Sequence, residues 1–85
     1  MPNTKNIQEE LKNLVSLITR IDVSELSEEV RVREELGIDS LMAMEIVAAC
    51  EKRFDIQIDE EQLFEIETVG EFHNLVVRLL KEKSK

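Results

Sequence analysis

One serine in this chain stands where its hydroxyl could be put to chemical use. Ser40 follows Gly37, Ile38 and Asp39 and heads the most apolar run of the sequence, residues 41–50, in which Glu45 is the one charge. An Asp in this place caps a helix, its carboxylate accepting from the first free N–H groups. Ser40 then falls in the first turn, among uncapped amides and at the positive end of the helix dipole. A phosphate esterified to its hydroxyl is favoured there. Used as a nucleophile instead, Ser40 would need a neighbouring base.

No such base is offered. The single histidine, His73, lies between Phe72 and Asn74 on the last expected helix and reads as a surface or boundary residue. No G-x-S-x-G frame surrounds Ser40. Asp55, Gln57 and Asp59 have a vague calcium-loop spacing, but Glu60 stands where the loop needs Gly, and position twelve is Ile66. The lone Cys50 excludes internal disulfides and Cys-rich zinc sites and reads as a small core hydrophobe. The residues compose no metal site and no active site, so the chain reads as a non-enzyme.

The elements that must hold Ser40 are helical. Ile7, Leu11, Leu14, Val15, Ile18 and Ile21 recur at helical spacing and predict an amphipathic helix over about 5–20. Asn6 and Glu9 resemble a capping box at its start. Gln8, Lys12, Asn13 and Ser16 form its polar face. Residues 22–39 make a long connection, of a length that in a compact domain usually has a task. Val32, Leu36 and Ile38 are expected to pin it, and Gly37 to supply a left-handed bend.

The second helix is predicted over about 40–53. At 100 degrees per residue, Ala43, Ile46, Val47, Cys50 and Phe54 share one side and face the core. Leu41, Met44 and Ala48 fall on the other side, beside Glu45 and Lys52, with Met42 and Ala49 flanking. An apolar patch rimmed with charge marks a partner surface, and Met suits one that meets several partners. The alternative is a central helix covered all round. Residues 54–58 alternate like a strand, but with no second strand they read as an extended loop with Ile56 and Ile58 inward. Asp59 with Gln62 caps a short third helix over about 60–65. Thr68 with Glu71 makes a capping box for a last helix over about 69–81. Its buried stripe is Val69, Phe72, Leu75 or Val76, Leu79 and Leu80.

Length and charge agree. Eighty-five residues allow one thin-cored domain, 1–85, with 1–4 and 82–85 expected to fray. Two Gly, one Pro and neither Tyr nor Trp argue against an all-β fold. The net charge of −8 repels nucleic acid and suits basic patches on protein partners, or serves solubility alone. Residues 1–6 lack an apolar signal core and no run reaches membrane-spanning length, so a cytoplasmic monomer is expected.

Leu36-Gly37, Asp39-Ser40-Leu41, Glu45, Phe54 and Thr68-Val69, set in this order of elements, resemble the acyl carrier protein family across nearly the whole chain. The resemblance implies an all-α four-helix bundle with a long first loop and a short third helix. It implies that a phosphopantetheinyl transferase esterifies Ser40 with 4′-phosphopantetheine from coenzyme A, with Asp39 and Leu41 beside the site. It also implies that acyl groups travel as thioesters on that arm between acyl or ketoacyl synthase-type enzymes. These dock on the second helix, here at Leu41, Met44, Glu45 and Ala48. Family members further imply that a growing chain can enter between the helices. Tethering suits the task, since each delivery becomes effectively intramolecular.

The chain departs from fatty-acid carriers in two respects. Met42, Lys52 and Arg53 stand where those carriers have acids, and helix 40–54 sums to zero. The negative charge lies instead in residues 22–39, net −5, and 55–67, net −6. Met after Ser-Leu looks more like polyketide-type carriers. Asp59 stands where many relatives have Pro. A fatty-acid carrier, a peptidyl or aminoacyl carrier, and a small helical adaptor in which Ser40 is only a helix-start residue are the other readings.

Overall fold

The computed structural model describes residues 4–83, which form four helices: α1 (Thr4–Thr19), α2 (Ser40–Phe54), α3 (Glu60–Phe64) and α4 (Val69–Lys83). A single 3-10 turn, Val23–Glu25, interrupts the long first connection. The described residues contain no strand; of the segment expected to be extended, Phe54 instead ends α2 and Asp55 turns left-handed at φ 55°, which leaves 56–58 as the connecting stretch, with Ile56 and Ile58 buried as expected. The architecture is the all-α bundle with a short third helix.

On α1, Ile7, Leu11 and Val15 are buried, and Leu14 and Ile18, with Ile21 just past its end, pack against the core. The helix stops at Arg20, whose φ of 64° is left-handed and whose amide donates to the Ser16 carbonyl at 2.7 Å. Thr19 helps to hold this costly turn by accepting the Ile21 amide at 3.1 Å. The Asn6–Glu9 capping box is not formed. The chain is already helical at Thr4, so Asn6 lies within the helix.

The long connection is stitched to the start of α4. Val32 donates to the Glu67 carbonyl at 2.9 Å, Val69 to Val30 at 3.1 Å, and Gly70 to Glu28 at 2.9 Å. Arg31 and Thr68 form an isolated antiparallel bridge. Gly70 is small for a reason: a Cβ there would lie 3.0 Å from the Glu28 carbonyl oxygen. Ile38 is buried, with Val32 and Leu36 packed on the core, as expected. The deepest anchor is Leu26, fully buried at 0 % exposure, which no periodic pattern announces.

On α4 the capping box is present. Thr68 Oγ1 accepts the Glu71 amide at 3.1 Å and Glu71 Oε1 accepts the Thr68 amide at 3.1 Å. Val69, Phe72, Leu75 and Val76 are buried and Leu79 and Leu80 partly so, but the buried face also takes in Val77 and His73. His73 is therefore no surface residue. α4 packs inside the stitched loop, which brings His73 Nδ1 to 3.6 Å from the Glu28 carboxylate. The helix continues to Lys83, whose Nζ reaches the Asp55 carboxylate at 2.9 Å. Of the ends expected to fray, residues 1–3 and 84–85 lie outside the described residues.

Candidate functional site

Ser40 begins α2 because three local choices agree. Gly37 takes φ +68°, a left-handed turn that glycine adopts without strain. Asp39 is extended, at φ −88° and ψ −179°, and its carboxylate accepts the Met42 amide at 2.8 Å. Its carbonyl accepts the Ala43 amide at 2.9 Å, closing the first helical turn. Ile38, anchored by its amide to the Val32 carbonyl at 2.9 Å, fixes where that turn stands on the core.

The serine is exposed, and among the described residues its hydroxyl has no hydrogen-bond partner. No acceptor there meets the amides of Ser40 or Leu41. These amides carry the positive end of the α2 dipole, worth about half a charge. The first turn holds no acidic residue, and Lys52 and Arg53 sit at the opposite end, where they face the negative end of the dipole. A phosphodiester on Ser40 would meet free donors and open space. The residues present fit a covalently linked phosphorylated arm.

The outer face of α2 is as the periodicity predicts. Leu41 is 71 % and Met44 56 % exposed, with Glu45 and Ala48 exposed beside them. Ile46, Cys50 and Phe54 face the core and are buried. The alternative of a helix covered on every side is therefore excluded. Cys50 is fully buried, and burial, with the Glu51 charge second, pushes its thiol up to about 12. It is a core hydrophobe.

Two residues near Ser40 escaped the sequence reading. Arg33, from the long connection, and Phe64, from α3, line the groove that contains Ser40 and Met44. Phe64 is 60 % exposed, and its position right after the inward Leu63 in a helix is the signal that could have found it. Arg33 gives no periodic signal. Deeper in, a second hollow of about 50 Å³ is lined almost wholly by apolar side chains from all four helices and the connection, among them Leu11, Ile38, Ile46, Leu63 and Phe72. Among the described residues no helix is long and apolar enough to cross a membrane.

A small helical bundle presenting a capped, exposed serine at a helix start is the frame of a carrier domain. The comparisons agree. Residues 9–76 match the family model described as "Phosphopantetheine attachment site". An acyl carrier protein of Saccharopolyspora erythraea is 34 % identical over 76 residues, covering 89 % of this chain and 80 % of that one. The polyketide-8 synthase acyl carrier protein 2 of Streptomyces avermitilis is 31 % identical over 83 residues, covering 94 % and 95 %. A solved candidate acyl carrier protein of Mycobacterium tuberculosis superposes with a TM-score of 0.79 at 26 % identity, covering 85 % of this chain and 96 % of that one. The chain belongs to the acyl carrier protein family, whose prosthetic group is 4′-phosphopantetheine and whose members are carriers, not themselves catalytic.

Proposed function

We propose that Ser40 is the attachment point of the phosphopantetheine arm, and that the chain delivers acyl thioesters to enzymes that dock on Leu41, Met44, Glu45 and Ala48. The observation that carries this is an exposed hydroxyl at the capped start of α2, next to an exposed apolar strip on the same helix. The arm supplies the terminal thiol that holds an acyl group. The protein's own residues supply the rest. Asp39 fixes the first turn, the free amides of Ser40 and Leu41 face the phosphate, and the α2 strip offers an apolar contact that partners can leave as readily as they meet.

The chain acts as a monomeric carrier with no bond-making of its own. The phosphopantetheinyl transferase and the acyl or ketoacyl synthases are its partners. A polyketide or other specialised pathway is favoured over housekeeping fatty-acid synthesis. The support is Met42, the neutral α2, and the relative named for a polyketide synthase. The relatives named above are acyl carriers, which speaks against the peptidyl cargo. The inner hollow, about the bulk share of one or two water molecules, takes an acyl chain only if the bundle widens between α1 and α2.

Incubation with coenzyme A and a promiscuous transferase is the test. Wild type gains one phosphopantetheine mass and Ser40→Ala gains none. An unmodified wild type, or a modified Ser40→Ala, overturns the assignment.

A further inference from the structure

The groove beside Ser40 is built asymmetrically. It measures about 120 Å³, and its floor is apolar, with Met44, Leu63 and Phe64 among the lining residues. Glu60 and Asp39 contribute acid to its lining, and Arg33 contributes the one cation. The Asp39 carboxylate is already committed to the Met42 amide. Arg33 has no carboxylate partner among the described residues, although its neighbour Arg31 pairs with Glu34 at 3.2 Å.

This cation is out of keeping with its surroundings. The connection that carries it is net −5, and the segment holding Glu60 and Phe64 is net −6. An arginine among so many acids, yet paired with none of them, is available to an anion. The anion that the family's prosthetic group brings to Ser40 is a phosphodiester, and guanidinium is well matched to phosphate oxygens. Next to that phosphate, pantetheine carries a pair of methyl groups on one carbon. They need an apolar surface within a few ångströms, and the half-exposed Met44 and Phe64 supply one.

We propose that Arg33 holds the phosphodiester of the Ser40-linked arm at one end of this groove, and that the pantetheine methyl groups rest on Met44 and Phe64. Arg33 is a positioning residue here. It stores the unloaded arm along the surface between α2 and α3 rather than leaving it free in solvent. The proposal rests on Ser40 being the attachment point, and its test separates the two.

Wild type, Arg33→Gln and Arg33→Lys are each incubated with coenzyme A and a promiscuous transferase. Intact mass and peptide mapping report whether Ser40 carries the arm. On the loaded proteins, nuclear Overhauser effects are measured between the pantetheine methyl protons and the Phe64 ring and Met44 methyl protons, at low and high salt. Amide spectra of the unloaded forms control for folding. Wild type shows these contacts at low salt, and Arg33→Gln loses about two- to fivefold of their intensity, the range an exposed ion pair sustains. Arg33→Lys keeps most of it, and high salt brings wild type down towards Arg33→Gln. No arm on Ser40 overturns the attachment site and this proposal together. An arm on Ser40 whose methyl contacts are absent in wild type, or equal in Arg33→Gln, overturns the role of Arg33 alone.

Discussion

The Glu51 carboxylate, in the last turn of α2, accepts the backbone amide of Ile58 at 2.9 Å. This bond ties the helix to the extended segment that buries Ile56 and Ile58. One of the two acids on α2 is thereby turned inward to a structural task, which leaves Glu45 as the acid that faces solvent.

Removing Glu51 strands a partly buried donor, which costs about 1–3 kcal/mol. Glu51→Ala is expected to lose stability in this range in urea denaturation, while Glu51→Gln, which keeps an acceptor oxygen, loses less. An unchanged stability in Glu51→Ala would show that the bond contributes nothing.

Met44 stands two turns before Glu51 on the same helix. At 56 % exposure it makes little of the core, so Met44→Glu should change stability by no more than about 0.5 kcal/mol. As part of the docking strip it should slow turnover with partner enzymes at least about fivefold, the effect of about 1 kcal/mol at an interface. Thermal melting and partner turnover, measured side by side, check this. A large fall in melting temperature would put Met44 in the core.

Thiol titration separates Cys50 from the arm. Raised to about 12 by burial, the Cys50 thiol is only about 10⁻⁴ thiolate at pH 8, the form that reacts. The native protein before loading should show no reactive thiol, and the loaded protein one. Denaturation should expose one more in each case.

The pairing of Asp55 with Lys83 predicts a pH dependence. The Lys83 hydrogen bond, and then its charge, hold the Asp55 carboxyl below its ordinary value. An aspartate in the unfolded chain titrates near about 3.9. The native state therefore gains from the pair above that pH and loses the gain as pH falls through the depressed value. Asp55→Asn keeps a side chain that tolerates the left-handed φ of 55°. The melting temperature of wild type should exceed that of Asp55→Asn at pH 7, with the gap closing as pH falls through the depressed value. A gap that persists in acid would refute the linkage.

Much of the bundle can be read from local signals. Asp39, Thr68 and the periodicity of α1 and α2 each speak for neighbouring residues only, and each is found as expected. The Asn6 capping box failed because helical structure begins before it, so a local motif was matched at the wrong register. His73 and Leu26 were misjudged or passed over for another reason. Their burial depends on the connection folding back over α4, an event between segments far apart in the chain.

By itself the sequence determined that Ser40 would open a capped helix and that Leu41 and Met44 would face away from the core, because caps and helical period act within a few residues. Only the tertiary structure decided which charges remain outward. Glu51 is bonded to Ile58, and Arg53 is drawn to Glu10 at 2.7 Å, while Arg33 and Phe64 are brought to the groove beside the serine. Those placements follow from how the long connection is stitched to α4 and how α3 is set against α2, and no short-range pattern encodes them.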